Sequence, residues 1–303
     1  MRFSVWPASV HGFADLAAVV GHCERTGWDG AWVMDHFMGD RPDGAPDDTP
    51  VLEALTVLPA LAARTERIRL GPLVLGGTYR HPAVVAKAAA TLDELSGGRF
   101  VLGLGAGWQV NEHAAYGIDL LPVRERLDRF EESCAAIRSL LTEDRTTLVG
   151  DHVTLNDAPC RPTPPPGRVP ILVGAKGERR GLRIAALHAD EWNSWATVEQ
   201  LRHRSDVLAR HCADVGRDPG AIRRSTQAVV HLVDDPVEAD RLRAEPSSRP
   251  RLVGTPAQLV DQVGAYAEAG LDELVVPDWT MGTGPGRLEV LDRIQAEVAP
   301  AFR

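Results

Sequence analysis

Short continuous apolar runs alternate along this chain with longer stretches in which apolar residues recur every three or four positions. That pattern is expected of buried strands alternating with amphipathic helices. Residues 3–5 form the first apolar run, closed by Trp6 and Pro7, and residues 13–25 follow with Leu16, Val19, Val20 and Cys23 at helical spacing and Gly27 as the stop. Residues 30–34 predict a second strand ending at Asp35-His36-Phe37, residues 52–65 a buried helix, and residues 69–75 a third strand followed by Gly76. Pro82, suited to a first helical turn, opens a helix to residue 95. The stretch 95–117, L-S-G-G-R-F-V-L-G-L-G-A-G-W-Q-V-N-E-H-A-A-Y-G, reads as turn, fourth strand (100–104), glycine-rich loop and helix.

The second half repeats the rhythm after one interruption. Residues 127–141 have helical spacing. Residues 142–168 then carry Pro159, Pro162, Pro164, Pro165 and Pro166 and predict an insertion with a small hairpin over 146–155. Strands follow at 170–173, 190–193, 225–232 and 273–276, separated by helices at 179–188, 198–215 and 256–269. Eight buried strands in alternation with helices predict an α/β fold, a (β/α)8 TIM barrel forming a single domain over residues 1–303, with the insertion after the fourth strand-helix unit. In such a barrel the loops after the strands share one face. Trp6, Asp35, His36, Gly76, residues 105–109, residues 174–177, Asn193 and Asp278 would therefore ring one mouth. Residues 40–49, rich in Pro, Gly and Asp, form a loop long enough for a lid or a plain surface excursion.

Composition narrows the chemistry. A net charge of -9 leaves no overall basic character for nucleic acid or an anionic membrane, so a small-molecule partner is expected. No apolar run approaches the roughly 20 residues of a membrane span, and the first residues lack a leader pattern, so a cytoplasmic location is expected. Cys23, Cys134, Cys160 and Cys212 lie far apart without metal spacing and read as reduced packing thiols. The histidines form neither H-E-x-x-H nor another ligand set, so no metal is expected, and neither G-x-S-x-G nor a G-K-[ST] phosphate loop occurs. A cofactor enzyme, a sugar or phosphate enzyme, or a binder remains.

Gly103, Gly105 and Gly107 mark a backbone that something approaches closely, a ligand or a sharp turn. The dinucleotide pattern is not met, because Trp108 stands where G-x-G-x-x-G requires glycine.

Across nearly its whole length the chain resembles the bacterial-luciferase-like family of flavin- and deazaflavin-dependent oxidoreductases. The carriers are V-M-D-H-F at 33–37, R-H-P at 80–82, T-L-D-E-L-S-G-G-R at 91–99, residues 102–108 with Glu112 and Gly117, V-P-I-L-V-G at 169–174, A-D-E-W-N at 189–193 and V-G-T-P at 253–256. The Asp35-His36 pair is most similar to the branch that uses coenzyme F420. The resemblance implies that His36 exchanges the proton accompanying hydride transfer while Asp35 holds the ring system or the histidine. It implies a strained, sometimes cis, peptide near Leu73-Val74 behind the ring, and ring or ribityl contacts from Gly105, Ala106, Gly107, Trp108 and Gln109. Gly174, Ala175, Lys176 and Gly177 would take the phosphate, with Asn193 beside the cofactor and Arg179 and Arg180 on the polyanionic tail or merely coating a helix. Trp6 and Trp108 would line an apolar substrate slot. Read from the residues alone, His36 also fits a structural histidine at a strand end, Asp35 a cap and Lys176 a surface lysine.

The implied function is F420-dependent hydride transfer to or from a small organic substrate, read as an F420H2-dependent reductase. Two alternatives stand beside it: an FMN-dependent monooxygenase using reduced flavin and oxygen, and a flavin-binding barrel without turnover. Some sugar-phosphate dehydrogenases of the F420 branch carry glutamate at the position of Trp108, so that activity is not implied. The expected partners are a small organic substrate, neither nucleic acid nor membrane, with room for a homodimer.

Overall fold

Strands and helices alternate as the hydrophobic pattern requires, and the sheet they build is wholly parallel. The computed structural model describes residues 1–165 and 167–303; Pro166, part of the expected proline-rich insertion, lies outside the described residues. In chain order the strands are β1 (Arg2–Trp6), β2 (Gly30–Val33), β3 (Arg69–Pro72), β4 (Leu75–Gly76), β5 (Leu102–Gly105), β6 (Thr146–Val149), β7 (Thr154–Ala158), β8 (Ile171–Gly174), β9 (Glu191–Asn193), β10 (Arg223–Gln227), β11 (Val229–Leu232), β12 (Arg251–Gly254) and β13 (Glu273–Pro277). The helices are α1 (Phe13–Thr26), α2 (Ala54–Ala62), α3 (Pro82–Ser96), α4 (Val110–Tyr116), α5 (Val123–Thr142), α6 (Gly181–His188), α7 (Val198–Asp214), α8 (Pro236–Ala244), α9 (Pro256–Glu268) and α10 (Pro285–Arg293).

Nine strands pair in the order β3-β2-β1-β13-β10-β9-β8-β5-β4. β3 and β4 are two pieces of one stave, interrupted at Leu73-Val74, whose peptide bond is cis. The Leu70 N–H donates to Arg99 O at 3.2 Å and the Val101 N–H to Leu70 O at 2.9 Å, so the third stave meets the segment leading into β5 and the ring closes. The result is the expected eight-stave (β/α) barrel. Helix ends follow local chemistry. Gly27 stops α1 at φ 85, a left-handed angle that only glycine adopts freely, and capping boxes at Thr197/Gln200 and Thr255/Gln258 start α7 and α9. The expected hairpin is β6 and β7, antiparallel, with Glu132 of α5 accepting the Asp151, His152 and Val153 N–H groups.

The seventh stave departs from expectation. Residues 225–232 are not one strand. The Ala228 N–H donates to Val275 O at 3.2 Å, and beyond it β11 leaves the barrel to pair in parallel with β12, through α8, in a separate two-stranded sheet. No glycine or proline marks the break. α8 is highly charged, with only Ala239 and Leu242 buried, so its apolar period was too sparse to read.

Side chains alternate across the barrel wall with period two. Along β13, Leu274 and Val276 join the large core beneath the helices, whereas Val275 joins an interior cluster with Trp6, Trp32, Leu73, Val101 and Leu172. Charge closes the base. Arg69 pairs with Glu191 and, at 3.0 Å, with Glu273, which also accepts from Trp32 Nε1 at 2.9 Å. A cavity of about 490 Å³, lined by Arg2, Arg223, Asp272 and neighbours, lies at this end. No helix among the described residues is long and apolar enough to cross a membrane.

The glycines of β5 have a different reason from the one their pattern first suggests. A Cβ at Gly103 would sit 2.0 Å from Pro72 O, at Gly105 2.6 Å from Val74 Cγ2, and at Gly174 2.9 Å from the same methyl. What approaches these backbones is the third stave of the protein itself. Gly103→Ala is therefore expected to cost about 3 kcal/mol, the upper end of overpacking penalties. Gly264→Ala, inside α9 with open space around its Cβ, is expected to gain roughly 0.4–1 kcal/mol. Denaturant unfolding of the two variants checks both signs.

Candidate active site

The loop after β2 carries two consecutive titratable side chains, Asp35 and His36, and each is held by a different element. Asp35 is buried. Its carboxylate accepts the Gly76 N–H at 2.9 Å and a two-pronged contact from Arg80, with both arms at 2.8 Å. Arg80 also bonds Glu53, the N-cap of α2. Burial works against the Arg80 cation, but its two carboxylates outweigh that and hold its pKa above the ordinary value. Asp35 thus brackets the end of β2 to β4. Of the two expectations for Asp35, holding the ring system or holding the histidine, the second is taken up by another carboxylate.

That carboxylate belongs to Glu112, at the third position of α4. Its side chain is wholly buried, and its carboxylate collects three donors: His36 Nδ1 at 2.8 Å, the Phe37 N–H at 2.8 Å and the Tyr79 hydroxyl. Burial alone would raise the Glu112 pKa; the three donors outweigh it and hold the carboxyl below its ordinary range. Burial and the neighbouring Glu112 push the Tyr79 phenol well above its usual value, so it remains a donor. An ionised carboxylate only accepts, so the proton on the contacting imidazole nitrogen is assigned to Nδ1 of His36.

Around this centre, Trp108 meets the His36 ring edge-on at a centroid distance of 5.5 Å. Residue 36 and the glycine bend therefore share one end of the barrel. Phe37 packs on Tyr79 (4.7 Å) and Tyr116 (5.4 Å). The Gln109 amide is turned away from the mouth and donates to Met38 O and Gly39 O, at 3.1 and 3.2 Å, while Asn111 Nδ2 binds Gly39 O and Ala45 O, at 2.9 and 3.1 Å. The 40–49 loop is thus strapped to α4 at its base.

The second group lies across the mouth. Trp6, Trp195 and Trp279 pack mutually at 4.9–6.2 Å, and the exposed Arg249 lies over the latter two rings at 5.2 and 4.7 Å. The indole N–H groups of Trp6 and Trp279 are buried without a protein partner. Trp6 packs in this group and Trp108 on His36; no ring contact joins the two expected slot residues among the described residues.

After β8, Lys176 and Gly177 are exposed, and α6 starts only at Gly181, so residues 174–177 form a loop ahead of the helix and not its first turn. The Ala175 N–H is used by Asn193 O at 3.0 Å. Arg180 is occupied by Asp128 and Glu131, leaving Lys176 and Arg179 as exposed cations. Asn193 faces the barrel interior, with Nδ2 on Ser225 Oγ (2.9 Å) and Oδ1 accepting from Gln227 (2.7 Å).

Sequence reasoning had assigned no role to Glu112, Tyr79, Trp195, Trp279 or Arg249. Only Glu112 carried a signal, an acidic residue in the first turn of the helix after the glycine bend. The others depend on loops meeting across the barrel axis.

The family model described as luciferase-like monooxygenase matches residues 1–251, which include His36, Trp108, Glu112 and both glycine-bearing staves. The chain belongs to the luciferase-like monooxygenase family. Among its relatives, an F420-dependent glucose-6-phosphate dehydrogenase of Intrasporangium calvum is 31% identical, over 98% of each chain. One of Nakamurella multipartita is 37% identical over 88% of this chain and 87% of its own. Among solved structures, an F420-dependent secondary alcohol dehydrogenase in complex with an F420-acetone adduct superposes with a TM-score of 0.83 at 20% identity, covering 100% and 99% of the two chains. A long-chain alkane monooxygenase reaches 0.82 at 17% identity, covering 99% and 90%. At those identities the likeness to the luciferase-like structures is one of fold.

Two outcomes follow from the carboxylate brackets. Arg80→Met leaves Asp35 buried and unpaired, with an expected cost of about 3–5 kcal/mol in denaturant unfolding. The native pKa of Glu112 lies below its unfolded value. Its contribution is therefore complete above the ordinary glutamate pKa of about 4.3 and is lost as pH falls through the lowered native value. Unfolding free energy measured from pH 6 to pH 3 is expected to fall less steeply in Glu112→Gln than in the wild type.

Proposed function

We propose that this protein is a coenzyme F420-dependent oxidoreductase that transfers hydride between the deazaflavin and a small organic carbonyl or alcohol, working as an F420H2-dependent reductase. The observation that carries the reading is the pairing of His36 with the buried carboxylate of Glu112, in a chain related end to end to F420-dependent dehydrogenases.

The residues present fit a planar, polar-edged cofactor with an anionic tail. Trp6 and Trp279 offer buried N–H donors without a protein partner, and Lys176 and Arg179 are exposed cations. Leu73, Val74 and residues 105–108 would hold the ring, and residues 174–177 the phosphate. When bound, F420 supplies the hydride. His36 moves the accompanying proton through Nε2, the nitrogen not engaged by Glu112. Asp35 positions, through Gly76 and Arg80, the strand ends around it. The three tryptophans supply an apolar wall for the body of the substrate, and Arg249 above them favours one bearing negative charge.

Equilibrium titration separates this reading from the flavin monooxygenase one. F420 is expected to bind in the micromolar range or tighter and FMN far more weakly; the reverse order overturns the proposal. His36→Ala is expected to keep F420 affinity while turnover with reduced F420 and a carbonyl panel falls about 100-fold. Unchanged turnover removes the role of His36.

A further inference from the structure

We propose that Glu112 is a positioning residue that keeps the Nδ1 proton of His36 in place and so leaves Nε2 as the exchanging nitrogen, which takes a proton from an alcohol in oxidation and, once protonated, gives it to the carbonyl oxygen in reduction. The inference rests on the oxidoreductase reading for its effect on turnover, but its geometry stands independently of any cofactor.

Three features carry it. First, the carboxylate is completely buried and both of its oxygens are committed: Oε2 to the Phe37 N–H at 2.8 Å, and Oε1 to His36 Nδ1 at 2.8 Å and to the Tyr79 hydroxyl. A backbone N–H can only donate, so the Phe37 contact fixes the orientation of the carboxylate. Second, the ring of His36 cannot exchange its two nitrogens without losing this contact, and Trp108 packs against it edge-on at 5.5 Å. Third, Glu112 lies in α4 and the segment it grips in the loop after β2, so the contact also sets how far His36 projects from the strand end. A histidine free in water presents either nitrogen with or without a proton. Held this way, it presents one nitrogen, Nε2, for proton exchange in a fixed geometry. Glu112 acts through His36 and through no contact of its own with the mouth.

Glu112→Gln is the discriminating change, because the amide has one accepting and one donating end. The Phe37 N–H can pair only with the amide oxygen, so the NH2 group faces His36 Nδ1, which must then accept. The proton moves to Nε2.

The test is a long-range 1H–15N correlation spectrum of uniformly labelled cofactor-free protein near pH 7.5, with the His36 signals identified by their loss in His36→Gln. Wild type is expected to show the Nδ1–H form and Glu112→Gln the Nε2–H form. F420 affinity should stay within about threefold in Glu112→Gln, and kcat should fall on the order of 10- to 100-fold with little change in KM. Tyr79→Phe, which keeps the carboxylate and the Phe37 contact, should retain the Nδ1–H form. A wild-type ring protonated on Nε2 overturns the proposal without recourse to any variant. So does a folded Glu112→Gln protein with wild-type tautomer and kcat. If the wild type fails to bind F420, the oxidoreductase reading falls while the tautomer measurement still decides the role of Glu112.

Discussion

The barrel closes on a contact that no side chain could make. The carbonyl oxygen of Pro72 lies where a Cβ at position 103 would have to be, and the Val74 methyls occupy the space that side chains at 105 and 174 would fill. Backbone set directly against backbone lets the third stave press into its neighbours instead of standing off by the width of a side chain. The stave is broken at the point where it does so, into β3 and β4. Without those three bare positions the ring would have to widen between the third and fifth staves, and every loop on the mouth would shift with it.

From that contact the rim is assembled in two steps by two carboxylates of the same chemistry and different settings. Asp35 faces a guanidinium and a backbone N–H, which makes it an ionic strut between β2 and β4. Glu112 faces donors of no fixed charge, an imidazole, a phenol and an amide, so its negative charge is answered by hydrogen bonds. The first holds strand ends together; the second aims a ring. Adjacent residues, 35 and 36, thus end up governed by different elements, and neither touches the partner of the other.

Much of the architecture was legible because period-two and period-3.6 patterns rarely conflict in this chain. Helix limits given by Gly27, Pro82 and Pro256 agree with the structure to within a residue or two. The insertion hairpin and the cis peptide at Leu73-Val74 were legible as well, the latter through family resemblance and not through any local propensity, whereas the split of residues 69–75 into two strands was not. What escaped shares one physical cause. The break at Ala228 is made by the barrel's neighbours, not by a turn residue, and α8 buries too little to show a stripe. At the mouth, His36 and Trp108 were readable because they sit at strand ends. The reach of Glu112 back to residues 36 and 37, and the meeting of Trp195, Trp279 and Arg249, are three-dimensional facts with no one-dimensional signal. The glycines of β5 were read as room for a ligand when their closest tenant is the protein's own third strand.

The ion pairs at the barrel's foot also bear on access. Arg69, Glu191, Glu273 and Trp32 cork the axis from below, and the space beneath them lies on the far side of that cork. Anything that reaches the loops of the mouth therefore comes over the open rim and not through the foot, where an arginine and two acids stand across the axis.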